Sequence, residues 1–337
     1  MWRIRGVLRD YDWGPVDGLA TWSRATGGPQ AELWFGLHPS APSPVVDEAG
    51  TSTGLTLDQV MPGPREPLML KLLAAQRPLS IQVHPTRDVA RTLHAQGLLP
   101  DDEPKAETLL ALSPFSVHAG WRDLAQAQSV LLAAGISETL VEAWPSRAAA
   151  VRGLLELDRS VVTQAGAALP AAAKGVGLDD DAVAALQMIA ADYPTDAGVL
   201  VCVLMQHLVL APGQAIDVPP GLIHSYVQGL GVEVMTSSDN VLRLGLTSKP
   251  VHVDEALGAL RDLDEEPPLP FTVSLVSDGT VELPSAFRIV LPLDGDVDIA
   301  AGDRSMSLEV GLAGVMGEDE PACRAVIRGT AVIATGL

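Results

Sequence analysis

The segment Ser80-Ile81-Gln82-Val83-His84-Pro85 alternates polar and apolar side chains. Read as a strand, it projects Ser80, Gln82 and His84 from one face, buries Ile81 and Val83 on the other, and ends at Pro85. Gln82 then offers a carbonyl oxygen and His84 an imidazole nitrogen from one rigid element. That is the start of a metal site and, taken alone, equally the polar face of a half-buried strand. Two more ligand types stand at comparable places. Lys105-Ala106-Glu107-Thr108-Leu109-Leu110-Ala111-Leu112 reads as a strand with Lys105 and Glu107 on one face, and Pro219-Pro220-Gly221 is a loop delivering His224-Ser225-Tyr226. Gln82, His84, Glu107 and His224 supply two nitrogens and two oxygens. This borderline-hard set suits zinc, would also accept iron, cobalt or manganese, and leaves room for water or substrate.

The cations sharpen this reading. The chain has 22 Lys and Arg against 42 Asp and Glu, a net charge of −20. Such a balance repels nucleic acid and anionic lipid, and would repel a phosphorylated substrate unless cations gathered at its site. Lys71, Lys105, Arg243 and Lys249 all lie in or beside the ligand-bearing segments, which points to an anion receptor near the metal; singly, each is equally a solvated surface cation. The only cysteines, Cys202 and Cys323, form no C-x-x-C and are expected as small buried residues. No apolar run reaches the roughly 18 residues of a membrane span and no signal-peptide core follows Met1, so a cytoplasmic protein is expected.

The elements that must hold these residues follow from periodicity. Residues 1–43 read as short strands separated by turns, residues 51–65 as a short helix closed by Pro62-Gly63-Pro64, and residues 87–96 as a helix capped by Thr86 and ended by Gly97. From 122 to 191 an Ala- and Leu-rich pattern predicts three or four helices, to which no chemistry is assigned. Strand character is expected over 198–205, 207–210 and 215–218. Val232-Glu233-Val234-Met235 again sets polar against apolar. A helix over 255–263 and a linker over 264–268 lead to residues 271–337, which read as short strands with turns at Gly295-Asp296 and Gly311. That last region has no histidine.

Several stretches together resemble the type I phosphomannose isomerases (mannose-6-phosphate isomerases). They are Tyr11-Asp12-Trp13-Gly14, Ala31-Glu32-Leu33-Trp34-Phe35-Gly36-Leu37-His38-Pro39, Lys71-Leu72-Leu73, Pro78-Leu79-Ser80-Ile81-Gln82-Val83-His84-Pro85, Lys105-Ala106-Glu107, His224-Ser225-Tyr226 and residues 232–249. The resemblance implies a mainly β protein with an α-helical insertion: a cupin-type β-sandwich (jelly roll) catalytic domain over 1–121 with 197–264, a helical domain over 122–196, and a second cupin-like domain without metal over 265–337. It implies one zinc per chain on Gln82, His84, Glu107 and His224, and interconversion of mannose 6-phosphate and fructose 6-phosphate, feeding nucleotide-sugar and glycan synthesis. The expected partner is a small sugar phosphate, and the chain is expected to act as a monomer. Two places depart from the family pattern. Pro104 stands where relatives carry a His before the Lys, and Arg77 precedes Pro78.

Such a reaction needs a proton taken from carbon beside a carbonyl and charge stabilised on oxygen. Arg243 is the candidate for the oxygen. Glu233 and Lys105 compete as the base, and Asp239 is expected either to orient Arg243 or to serve as a turn residue. Ser80, Lys71 and Lys249 are expected at the phosphate and hydroxyls, with Tyr226 against the sugar. A zinc isomerase for another sugar, and a non-catalytic bicupin that binds metal and sugar, are the competing readings.

Overall fold

The computed structural model describes residues 1–61, 63, 67–261 and 267–337. Its strands pair antiparallel into two large sheets. In the ten-stranded sheet the order is Met205–Leu210, Phe115–Trp121, His224–Thr236, Leu68–Ala75, Glu32–Gly36, Val7–Arg9, with Glu107–Ala111 also on His224–Thr236 and Ile81–Val83 joined by Leu242–Gly245. The eight-stranded sheet runs Phe271–Leu283, Cys323–Gly336, Arg288–Ala301, Leu312–Met316, Trp2–Arg5, Pro44–Val46, Ser52–Thr56. It therefore draws strands from both ends of the chain: Trp2 pairs with Val315 and Ile4 with Ala313.

The longest strand of the first sheet, His224–Thr236, organises the molecule. Its first half pairs with Phe115–Trp121 and, through His224, with Gln82; its second half pairs with Leu68–Ala75 and Glu107–Ala111. Between the halves the register slips at Tyr226/Gln228. Gly229 sits at φ 150°, where a Cβ would stand 2.5 Å from the Phe115 ring. Because side chains alternate, an extra residue inverts the parity of everything beyond it. His224 and Tyr226 face the interior before the slip, Glu233 and Met235 after it.

Alternation on Leu68–Ala75 does the complementary work. Leu70, Leu72 and Ala74 pack with Val232 and Val234 against Leu291, Ala313 and Val332 of the other sheet. Lys71 points the other way and is the register partner of Glu233. A separate apolar core joins the helical layer to the strands of the site, setting Val130, Leu169 and Leu186 with Ile81, Val83, Leu242 and Leu244.

The helical region contains five helices, Leu124–Ala133, Glu138–Glu142, Arg147–Leu155, Arg159–Val176 and Asp180–Asp192. Asp123, Ser146 and Asp179 accept from the backbone N–H three residues on, as N-caps do. Five helices exceed the three or four expected; the longest, Arg159–Val176, carries Pro170, which removes one N–H from the ladder yet leaves the helix continuous. Residues 198–205 are also not the expected strand. They form Gly198–Val201, then a 3-10 turn Cys202–Leu204, and the strand begins only at Met205. Val199 to Leu204 are buried on all sides among helices, and an unbroken apolar run has no periodicity to separate helix from strand.

In the C-terminal region two of the expected short strands are present, Arg304–Glu309 and Leu312–Met316 with the turn at Gly311 between them, and the other three strands are long, of 13, 14 and 14 residues. Gly295 lies inside one of them rather than at a turn. Its φ of 67° falls at an irregularity where a Cβ would meet Arg328 O at 1.9 Å. The short helix near residue 57 is Leu57–Val60 and the later one Val253–Ala259. Pro62, Pro64 and the stretch 262–266, on which a helix end and part of the linker were placed, lie outside the described residues. Among the described residues no helix is long and apolar enough to cross a membrane.

Behind the site, His118 pairs in register with His207 and Ser225. Its imidazole is fully buried and among the described residues neither ring nitrogen has a hydrogen-bond partner, while His207 Nε2 meets Ser116 Oγ at 2.9 Å. Burial, then His207 and Arg122, push the His118 pKa down to about 3. The unfolded chain binds this proton near pH 6.5, so the contribution is complete above that pH and is lost as pH falls towards 3, by about 1.4 kcal/mol per unit. His118→Leu is expected to remove this loss. In urea unfolding the variant should gain about 2 kcal/mol on the parent between pH 7 and pH 5; parallel pH profiles would show that His118 is not the acid-labile group.

Candidate metal centre

His84, at the end of Ile81–Val83, Glu107, at the start of Glu107–Ala111, and His224, at the start of His224–Thr236, meet at one end of the first sheet. All three are buried, and one ligand atom from each lies within 4.8 Å of the others. Glu107 Oε2 stands 3.2 Å from His84 Nε2 and 3.7 Å from His224 Nε2. His84 Nδ1 meets the Asn240 carbonyl at 3.1 Å and His224 Nδ1 the Leu222 carbonyl at 3.1 Å. A carbonyl only accepts, so both rings donate from Nδ1 and turn the Nε2 lone pairs towards the carboxylate.

The charges agree with that arrangement. Burial lowers the His84 pKa against the pull of Glu107, and burial with His84 lowers that of His224 to about 3. Both imidazoles are therefore neutral at pH 7. Burial alone would raise the Glu107 pKa, but the Lys105 ammonium, 2.8 Å from Oε1, holds it well below the usual carboxylate range. Two nitrogen lone pairs and a carboxylate oxygen thus converge with no proton between them, and among the described residues His84 Nε2 makes no hydrogen bond. This donor set fits a divalent cation.

Gln82 lies across the ladder from His224 and lines the same cleft. Its Nε2 donates to Ser80 Oγ at 2.9 Å, which leaves the carbonyl oxygen as the end for a cation. The cleft has a volume of about 470 Å³, within the range of small-molecule sites. Ser80, Lys71, Lys105, Tyr226, Glu233, Asp239, Arg243 and Lys249 also line it, so all twelve residues singled out from the sequence except His84 reach its wall, and His84 lies buried beneath.

Their partners differ in instructive ways. Lys71 Nζ and Glu233 Oε2 form a buried ion pair at 2.7 Å. Burial, then the Glu107 charge, raises the Glu233 pKa against Lys71 and Lys105. Tyr226 OH donates to Glu107 Oε2 at 3.4 Å, and burial keeps the phenol protonated. Asp239 lies in the loop between His224–Thr236 and Leu242–Gly245, in keeping with a turn residue, and its side chain meets His38 Nε2 at 2.9 Å instead of Arg243. The Ser40 N–H donates to His38 Nδ1, so the proton of that ring is on Nε2 and the bond to Asp239 is a donation that lowers the acid's pKa. Among the described residues no carboxylate forms an ion pair with Arg243 or Lys249, and the Arg243 charge acts on Lys249.

Sequence reasoning passed over His38, Glu32 and the Asp101–Asn240 pair. Glu32 lines the cleft and accepts from Trp34 Nε1 at 2.5 Å, and Lys71 lies over the Trp34 ring. The available signal was the polar residue alternating with apolar ones in Glu32-Leu33-Trp34.

Residues 1–124, which include Gln82, His84 and Glu107, match the family model of the catalytic domain of type I phosphomannose isomerase. Mannose-6-phosphate isomerase 1 of Arabidopsis thaliana is 30% identical over 298 residues, covering 74% of this chain and 68% of the relative. The Escherichia coli mannose-6-phosphate isomerase is 28% identical over 295 residues, covering 77% and 75%. The fold superposes on a crystal structure of a mutant phosphomannose isomerase from Salmonella typhimurium with a TM-score of 0.83 at 23% identity, covering 100% of this chain and 99% of that one. It superposes on a zinc-bound mannose 6-phosphate isomerase with a TM-score of 0.81 at 23% identity, covering 99% of each. Antiparallel sheets with a helical layer, a cation-ready His-Glu-His cluster and this degree of identity over two thirds of a relative lead to one assignment: the chain belongs to the type I phosphomannose isomerase family of enzymes, the mannose-6-phosphate isomerases.

Proposed function

We propose that the protein is a zinc-dependent aldose–ketose isomerase interconverting D-mannose 6-phosphate and D-fructose 6-phosphate. The observation that carries this reading is the pair of neutral imidazoles aimed with Glu107 into a cleft that also holds a buried carboxylate of raised pKa and two cations, Arg243 and Lys249, that form no ion pair among the described residues. Gln82, His84, Glu107 and His224 hold the zinc. When bound, zinc supplies Lewis-acid stabilisation of negative charge on substrate oxygen.

The chain's own groups do the rest. Glu233 takes the proton from C2 of the aldose and returns it to C1, while a hydroxyl proton moves between the two oxygens. The Glu233 carboxylate is buried, and its raised pKa gives it the basicity the task needs. Lys105, whose ammonium is engaged by Glu107 Oε1, holds that ligand instead of serving as base. Arg243 faces the charge that develops on oxygen. Lys249 takes the phosphate, Ser80, Lys71 and Asp239 bind hydroxyls, and Tyr226 packs beside the sugar. Asp239 accepts from His38 and so presents its second oxygen to the ligand. We infer three units, 1–121 with 197–264, 122–196 and 265–337, with Trp2–Arg5, Pro44–Val46 and Ser52–Thr56 of the first unit extending the sheet of the last, in a monomeric cytoplasmic protein.

The test is coupled conversion of mannose 6-phosphate by the purified protein before chelation, after chelation and after zinc is restored. Activity should vanish and return; a folded, zinc-loaded protein without activity on this substrate rejects the reading. In the same assay Lys249→Ala should raise KM for mannose 6-phosphate about tenfold or more while sparing turnover of unphosphorylated mannose. Equal losses on both substrates would remove Lys249 from the phosphate site.

A further inference from the structure

Behind His84 lie two hydrogen-bonded residues, Asn240 and Asp101, that are outside the cleft. Asn240 is fully buried, and its backbone carbonyl is the acceptor that fixes the His84 ring through Nδ1. Its Nδ2 donates to Asp101 Oδ1 at 2.8 Å, to Asp101 O at 2.9 Å and to Glu103 O at 2.7 Å. The Asp101 carboxylate also accepts from Ser238 Oγ at 2.9 Å, from Glu103 N at 3.0 Å and from Asp239 N at 3.2 Å. Four donor groups from two segments thus converge on one carboxylate, and neither Asp101 nor Asn240 lines the cleft.

We infer that Asp101 is a positioning residue that sets the metal ligand His84, through the Asn240 carbonyl, and the substrate-facing Asp239, through its backbone N–H. The inference rests on the metal reading above. The chemistry asks for a carboxylate. All four neighbours are donors, and a carboxylate offers only acceptors. An amide at 101 would turn an NH2 group onto one or more of those donors, and the loop carrying Asn240 would shift to relieve it. A ligand imidazole is oriented by the acceptor on its other nitrogen, so displacement of the Asn240 carbonyl re-aims Nε2. The acidic turn 101–103 is therefore tied to the chemistry without touching substrate.

The experiment uses the full chain, stripped of metal and titrated with zinc against a chromophoric chelator, together with the visible spectrum of the cobalt-substituted protein. A parent protein that binds no zinc overturns the metal reading itself, and the inference with it. Given parent binding, Asp101→Asn should weaken zinc by about 10- to 100-fold, alter the cobalt bands and, at saturating zinc, still lower kcat/KM through Asp239. Unchanged zinc affinity and an unchanged cobalt spectrum in folded Asp101→Asn would overturn the inference and leave the metal reading standing. Should Asp101→Asn fail to fold, Ser238→Ala removes one donor to the carboxylate, together with the acceptor of the Asn240 N–H, and should weaken zinc about threefold. Parent-like affinity in that variant overturns the inference as well.

Discussion

Glu107→Gln is expected to cost the protein its zinc and about a thousandfold in kcat/KM for mannose 6-phosphate. The carboxylate is the only anionic group of the cluster, and its Oε2 is the atom both Nε2 lone pairs face. An amide removes the charge and presents either an NH2 group or a weaker oxygen to the cation. Loss of Lewis-acid stabilisation removes several kcal/mol, at tenfold per 1.4 kcal/mol. The change also strands the buried Lys105 ammonium, 2.8 Å from Oε1, so the metal-free variant should unfold about 3 kcal/mol more easily than the metal-free parent. Zinc titration, the coupled assay and urea unfolding check the three effects separately. Parent-like zinc affinity in Glu107→Gln would remove the residue from the ligand set.

Glu233→Gln should abolish proton transfer while leaving the metal in place. The carboxylate lies on the second half of His224–Thr236, paired with Lys71, and is not among the clustered ligands. Loss of a general base lowers the rate by about 10²- to 10⁴-fold, and exchange of solvent deuterium into C2 should fall by the same factor. Zinc affinity should stay within about threefold of the parent, because no cluster atom is altered. The pH dependence carries a sign. The base works ionised, and burial raises its pKa, so the parent's kcat/KM should fall on the acid side from a pH above the ordinary carboxylate range, and that limb should disappear in the variant. Normal exchange in folded, zinc-loaded Glu233→Gln would return the role to Lys105.

Local chemistry made much of this protein legible. Gln82 and His84 are two apart on a segment ending in proline, Lys105 and Glu107 two apart on another, and a strand's period of two is enough to place each pair towards one side. Caps at Asp123, Ser146 and Asp179 are short-range hydrogen bonds, and the helical character of that region was readable from its periodicity. The number of helices was less so, because the run that includes Arg159–Val176 carries Pro170. Failure at 198–205 has one cause: a run buried on every side looks the same as helix or strand until its neighbours are known.

Residue identity and near-neighbour spacing are enough for the candidate ligand types, the cations that accompany them, the mainly β character and the family resemblance. How the pieces come together depends on long-range pairing. The register slip at Tyr226/Gln228 inverts the face of one strand, so that His224 and Glu233, nine positions apart and of opposite parity, line one cleft. The backbone carbonyls of Leu222 and Asn240 choose which nitrogen of each histidine faces Glu107. Asp239 took His38 as its partner, and Asp101 reached the loop at 238–240, across separations for which local pattern carries no signal. Such contacts form only when distant strands close around a shared core, and burial then gives them their energy by excluding the water that would otherwise compete.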